Sequence, residues 1–219
     1  MRITGASLTN AGLASAAPQL ALVFLCSFGA VMSDWLRGPK GMKTGSVRRL
    51  MHVVGTGINA ILLLLVGAGL LQGISEGAIV AVLAMSVGVA GLTVGGGFNV
   101  NHLDILPTAA GLLLGVVNMF GSAAGALAPY TMARLTEYPK VDGEGRSREQ
   151  WADFGLEPDA TWLEEVTVGW RRVFLLAVAV DVLGIVIYSA MVSGERQQWA
   201  PRTTGARQES AFAHYNITT

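Results

Sequence analysis

The 219-residue sequence predicts an all-α membrane protein with five transmembrane helices. Three observations predict it. Charged residues make up only 14% of the chain, against about 25% in soluble domains, and the mean hydropathy is +0.49. Ile3–Ser33, Leu50–Ser75, Gly77–Leu103 and Ile105–Ala133 contain no Asp, Glu, Lys or Arg, and Val173–Gly194 contains only Asp181. Each run reaches the ~20 apolar residues that cross a bilayer. None alternates with period two, so helices are expected rather than barrel strands.

The first span is expected over 18–36, closed by Asp34. Its one cysteine, Cys26, is expected to be inert packing, because reactive thiols need an exposed, electropositive site. The second span, 50–72, follows a basic loop. The third, 77–101, carries Gly88, Gly91 and Gly95 on one face and ends in Gly95–Gly97. A face of glycines allows another helix to approach closely. The fourth, 107–134, opens at Pro107, where a first turn accepts proline. Gly111, Gly115, Asn118, Ser122, Gly125 and Pro129 recur in it at steps of three and four, which puts them on one face. That face suits close helix packing, or packing in one state and a substrate path in another. The fifth span, 171–193, holds Asp181 about 13 Å inside its charged start at Arg172. A carboxylate at such depth is costly unless paired or wet, so it is read either as a structural position with an unnamed partner or as a proton or substrate group.

The loops orient the chain. Arg37, Lys40, Lys43, Arg48 and Arg49 stand between Leu36 and Leu50 with no acid among them, which places that loop in the cytosol. Leu135–Trp170 carries nine acids against three bases and belongs outside, leaving the tail after Gly194 in the cytosol. An odd number of spans then puts the N-terminus outside, so a further helix upstream is expected. A secretory signal is not expected, since the small residues Ala14–Ala17 precede the apolar run. The sequon Asn216-Ile217-Thr218 falls on the cytosolic side and is expected to be unused.

Polar groups gather at one place, Gly97–Pro107, which reads GFNVNHLDILP. It is read as a helix end and turn at the cytosolic face, a hinge made of Gly97, Asn99, Asn101, His102, Asp104 and Pro107. The glycine frees the backbone, and the asparagines are expected to satisfy groups left by the ended helix. Asp104 is expected to favour the start of the next helix. His102 and Asp104 do not make up a metal set. His52 is expected at the surface of a helix start. Asp34, facing Arg48 or Arg49 across the basic loop, is read either as a cytosolic gate or as simple positive-inside charge placement. No catalytic triad, phosphate loop or carboxylate pair is visible, and no enzyme activity is expected.

GFNVNHLDILP resembles the loop between the tenth and eleventh helices of the anion symporters of the major facilitator superfamily, the family of sialin, the sodium–phosphate cotransporters and the vesicular glutamate transporters. LTNAGLASAAPQL at Leu8–Leu20, SVRRLMHVVG at Ser46–Gly55 and the SGE…W at Ser193–Trp199 resemble further motifs of that family. The resemblance covers nearly the whole chain and implies helices eight to twelve, most of the C-terminal six-helix half. Residues 1–200 would form that partial half and 201–219 a polar, disordered tail. There are departures: Thr108 and Ala109 stand where relatives commonly have Arg-Tyr, and Asp181 where they often have His or another polar residue.

The resemblance implies a segment of a secondary active transporter that moves small organic or inorganic anions by alternating access, coupled to protons or sodium, with no other cofactor. Asn118, Ser122 and Asp181 are its substrate-pathway candidates. Its partners would be the lipid bilayer, the anion and the missing N-terminal half, with no nucleic acid. The membrane, plasma or lysosomal/vesicular, is left open. The alternative is a non-transporting scaffold or regulatory fragment that associates with a full-length transporter.

Overall fold

The computed structural model describes residues 8–70, 73–136 and 160–198. The acidic stretch 137–159, the tail beyond 198 and the sequon lie outside the described residues. Among the described residues six α-helices follow in order: α1 Leu8–Arg37, α2 Thr44–Gly67, α3 Glu76–Gly96, the short α4 Asn101–Ile105, α5 Ala110–Leu135 and α6 Ala160–Met191. Single 3-10 turns, Phe98–Val100 and Pro107–Ala109, flank α4.

Among the described residues, five helices are long and apolar enough to cross a membrane: Ala16–Arg37, Thr44–Gly67, Gly77–Ile105, Pro107–Leu135 and Val166–Met191. The chain is an integral, multi-pass membrane protein with an all-helical fold. Large apolar side chains such as Phe24, Leu112 and Met191 stand fully outward, at 74%, 69% and 77% exposure. That is how a helix meets hydrocarbon rather than water.

Local chemistry sets the boundaries. α1 stops where Gly38-Pro39 cannot continue it, and Gly38 N–H closes on Asp34 O at 2.8 Å. Gly41 takes a positive φ of 64° in the turn that follows. α2 starts at Thr44, six residues before the expected 50. Lys43 precedes its first turn, and Arg48 and Arg49 follow that turn. Ser75 caps α3 by accepting from Ala78 N–H at 3.3 Å. α6 begins at Ala160, well before the expected 171, so the helix takes in the polar residues before Val166, where the apolar span starts.

α3 is the centre of the bundle. It packs along α1 on one side and α2 on the other, and α2 packs in turn on α6. Glycine makes the α1–α3 contact possible: a Cβ on Gly91 would lie 2.5 Å from Leu22 O, and one on Gly88 2.8 Å from Ala21 Cβ. Gly95 sits against the Cys26 carbonyl and leaves still less room. The core beside this seam is Val47, Met51, Val89 and Leu92, with Leu25, Met32, Leu36 and Leu62 packed on it. α5 differs: it touches α4 and α6 only sparsely, and a Cβ on Gly111, Gly115, Gly121 or Gly125 would meet nothing within 4 Å.

Candidate functional site

The ends of α1 and α3, the starts of α2 and α5, the end of α6 and the whole of α4 meet at one end of the bundle, the end with the basic loop. At its centre stands Arg48, from the first turns of α2, only 5% exposed. Its Nε donates to Asp104 Oδ2 at 2.7 Å and its Nη2 to Asp104 Oδ1 at 3.3 Å. Its Nη1 donates to Gly96 O at 3.1 Å and to Ser33 Oγ at 3.2 Å, while the Ser33 hydroxyl reaches Gly96 O at 3.3 Å. One guanidinium thus ties α2 to the ends of α1 and α3 and to α4. Only arginine offers this planar fork of donors.

The gate read from the sequence is therefore wired differently. Arg48 pairs with Asp104, not Asp34. Asp34 is exposed and pairs with Arg37 of its own helix at 2.6 Å, while Arg37 Nη1 lies 3.9 Å from Asp104 Oδ1. The reason is reach: helical spacing carries Asp34 round to the outside, whereas α4 turns Asp104 inward. Arg49 points away from this cluster, into a shallow cleft shared with Lys43 and the Ser193–Glu195 segment.

The Gly97–Pro107 stretch folds as two 3-10 turns around α4 rather than as a plain turn. Gly97 and Pro107 stand where the sequence places them, at the break after α3 and at the start of a turn. The asparagines do not cap: neither 3-10 turn nor α4 carries a side-chain cap. Asn101 is buried instead, and its Oδ1 has no partner. His52 is likewise not at the surface. It is 7% exposed and lies edge-on to Phe98 and Tyr188, with ring centroids at 5.7 and 4.5 Å. Its Nδ1 lies 3.4 Å from the Thr56 hydroxyl, which is 3.3 Å from that of Thr93.

Asp181 has a partner that the sequence left unnamed. Asn59 Nδ2 donates to Asp181 Oδ2 at 2.7 Å, and Ser86 donates to Asn59 Oδ1 at 2.5 Å. This relay joins α6, α2 and α3 inside the apolar zone. Asn59 is the single asparagine of its charge-free run, and that was the signal available for it. Asn118 and Ser122 are exposed on α5 and are brought together with neither Asp181 nor Arg48. Among the described residues no group of three His, Cys, Asp or Glu could hold a metal ion.

No family model matches the chain. Curated relatives do. Vesicular glutamate transporter 2 of Homo sapiens is 30% identical over 212 residues, 97% of this chain. Vesicular glutamate transporter 1 of Xenopus laevis is 32% identical over 212 residues, and that of Bos taurus 31% over 214. The chain is similar to the vesicular glutamate transporters over nearly its whole length. The resemblance to the anion symporters of the major facilitator superfamily, carried by GFNVNHLDILP, holds across the chain. The chain spans about a third of these relatives' length, 31% of the human and 33% of the bovine protein.

Proposed function

We propose that the chain forms part of a secondary active transporter for small anions, with glutamate the first substrate to test. The similarity to vesicular glutamate transporters over 97% of the chain carries this reading. Five spans with a tied end would form one wall of a pathway, and a second half of the transporter would form the other. Alternating access needs an element that packs in one state and opens in the other. α5 is suited to this, with its small-residue face and Asn118 and Ser122 uncovered. The Arg48–Asp104 tie would hold the basic end closed until the halves rock, and protons or sodium would drive the cycle. The basic loop argues for that end in the cytosol, and with it the C-terminus. The membrane would be vesicular, as the relatives' names indicate.

The test is a chimera. The matching stretch of human vesicular glutamate transporter 2 is replaced by this chain, and glutamate uptake is measured in proteoliposomes. Uptake above that of empty vesicles supports the reading. A chimera that is correctly inserted but silent with glutamate and other small anions overturns it. The open face of α5 also favours the second reading, a fragment that associates with a full-length transporter. Co-purification of the chain with an intact relative, together with a silent chimera, would establish that one instead.

A further inference from the structure

A cavity of ≈ 530 Å³ lies among α2, the Gly97–Leu106 segment, α5 and α6. Its size falls within the roughly 300–1,000 Å³ of small-molecule sites. Phe98, Leu113, Val117 and Ile187 are among its apolar walls. Two polar atoms of its lining residues have no partner, Asn101 Oδ1 and Tyr188 OH, while the His52 ring meets the backbone of Gly184, which also lines the cavity. The His52 and Asn101 side chains are almost wholly buried, at 7% and 6% exposure. The His52 ring is held between the Thr56 hydroxyl at Nδ1 and the Gly184 backbone, so the open positions are those of Asn101 and Tyr188.

We infer that this cavity binds an uncharged, membrane-soluble lipid with a hydroxyl head and a hydrocarbon body. The polar set dictates the head. An alcohol can both accept, as Tyr188 OH requires, and donate, as Asn101 Oδ1 requires. The lining dictates the absence of charge: it contains no Asp, Glu, Lys or Arg, and Arg48 and Asp104 satisfy each other next door. The walls dictate the body, since they are hydrocarbon and ring faces. A sterol and a diacylglycerol share this chemistry.

The cavity is separate from the proposed anion path. At ~100° per residue, Asn118 lies ~140° and Ser122 ~180° around α5 from Leu113, which lines the cavity. Occupancy by a lipid would brace α5 against α2 and α6 while leaving its small-residue face open.

The test uses the full chain in liposomes with two clickable diazirine probes, a sterol and a diacylglycerol. One of them is expected to crosslink to peptides of α5 or α6 that line the cavity, and an excess of the unlabelled lipid is expected to compete. The probe that labels names the source. Tyr188→Phe should cut that labelling at least threefold, and so should the cavity-filling Val117→Trp. A competitor with a ketone in place of the hydroxyl should be at least fivefold weaker, a readout that needs no variant to fold. Labelling spread along all lipid-facing helices overturns the proposal, as does labelling that Tyr188→Phe and the ketone leave unchanged.

Discussion

Arg48 and Asp104, 56 positions apart in sequence, are joined by two N–H···O contacts of 2.7 and 3.3 Å, the arginine 6% and the aspartate 13% exposed by side chain. The same guanidinium satisfies the carbonyl at the end of α3. Removing one member of a buried pair leaves the other charged, desolvated and unpaired. Arg48→Ala is therefore expected to destabilise the bundle by about 3–5 kcal/mol, and Arg48→Lys to restore only part, because an ammonium lacks the fork. Asp34→Ala breaks an exposed pair and should cost at most about 1 kcal/mol. Thermal unfolding in detergent, variants side by side, separates the two. Equal losses would remove Arg48 from the centre of this end.

The Asn59 side chain spans Asp181 and Ser86 as donor to one and acceptor from the other. Asn59→Leu is nearly isosteric but strips both, leaving a carboxyl and a hydroxyl without partners in a dry setting. A loss of about 1–3 kcal/mol is expected. Asn59→Leu combined with Asp181→Leu and Ser86→Ala should recover most of it, since three apolar groups leave nothing unsatisfied. A triple variant no better than the single one would mean that the relay does not set the cost.

The sequence made the five spans legible, because bilayer thickness imposes a length that no soluble helix must meet. It also made the α3 glycine face legible, because only close backbone approach explains Gly88, Gly91 and Gly95 at helical spacing. The site was less legible for a physical reason. Asp34 and Asp104 are the same residue type, each near a helix end, and only the unforeseen α4 decides which faces Arg48. His52 and Asn101 are buried where their polarity alone predicts exposure or capping. In a bundle whose outside is lipid, a polar side chain is drawn inward.

Two glycine faces with the same spacing should respond to the same substitution with opposite signs. Gly91→Ala puts a methyl group 2.5 Å from the Leu22 carbonyl, and α1 must move away, at about 1–3 kcal/mol. Gly115→Ala meets nothing within 4 Å and should stabilise α5 by about 0.5–1 kcal/mol through the lower entropy cost of alanine in a helix. Unfolding of the two variants of this chain checks the pair. Destabilisation by Gly115→Ala would reveal a partner already covering that face.

Asn118 separates the two functional readings further. It is exposed, it shares a face with Gly111, Gly115 and Ser122, and nothing in the bundle leans on it. Asn118→Leu is therefore expected to leave stability within about 0.5 kcal/mol of the parent. In the chimera with human vesicular glutamate transporter 2 the same change would put a branched apolar group on the small-residue face of α5. A pathway role predicts that glutamate uptake falls at least tenfold with normal expression. A packing role instead predicts weaker association of the halves, seen as poorer recovery of the assembled protein. Unchanged uptake and unchanged recovery would remove Asn118 from the pathway, and Ser122, one turn along the same face, would be the next position to substitute.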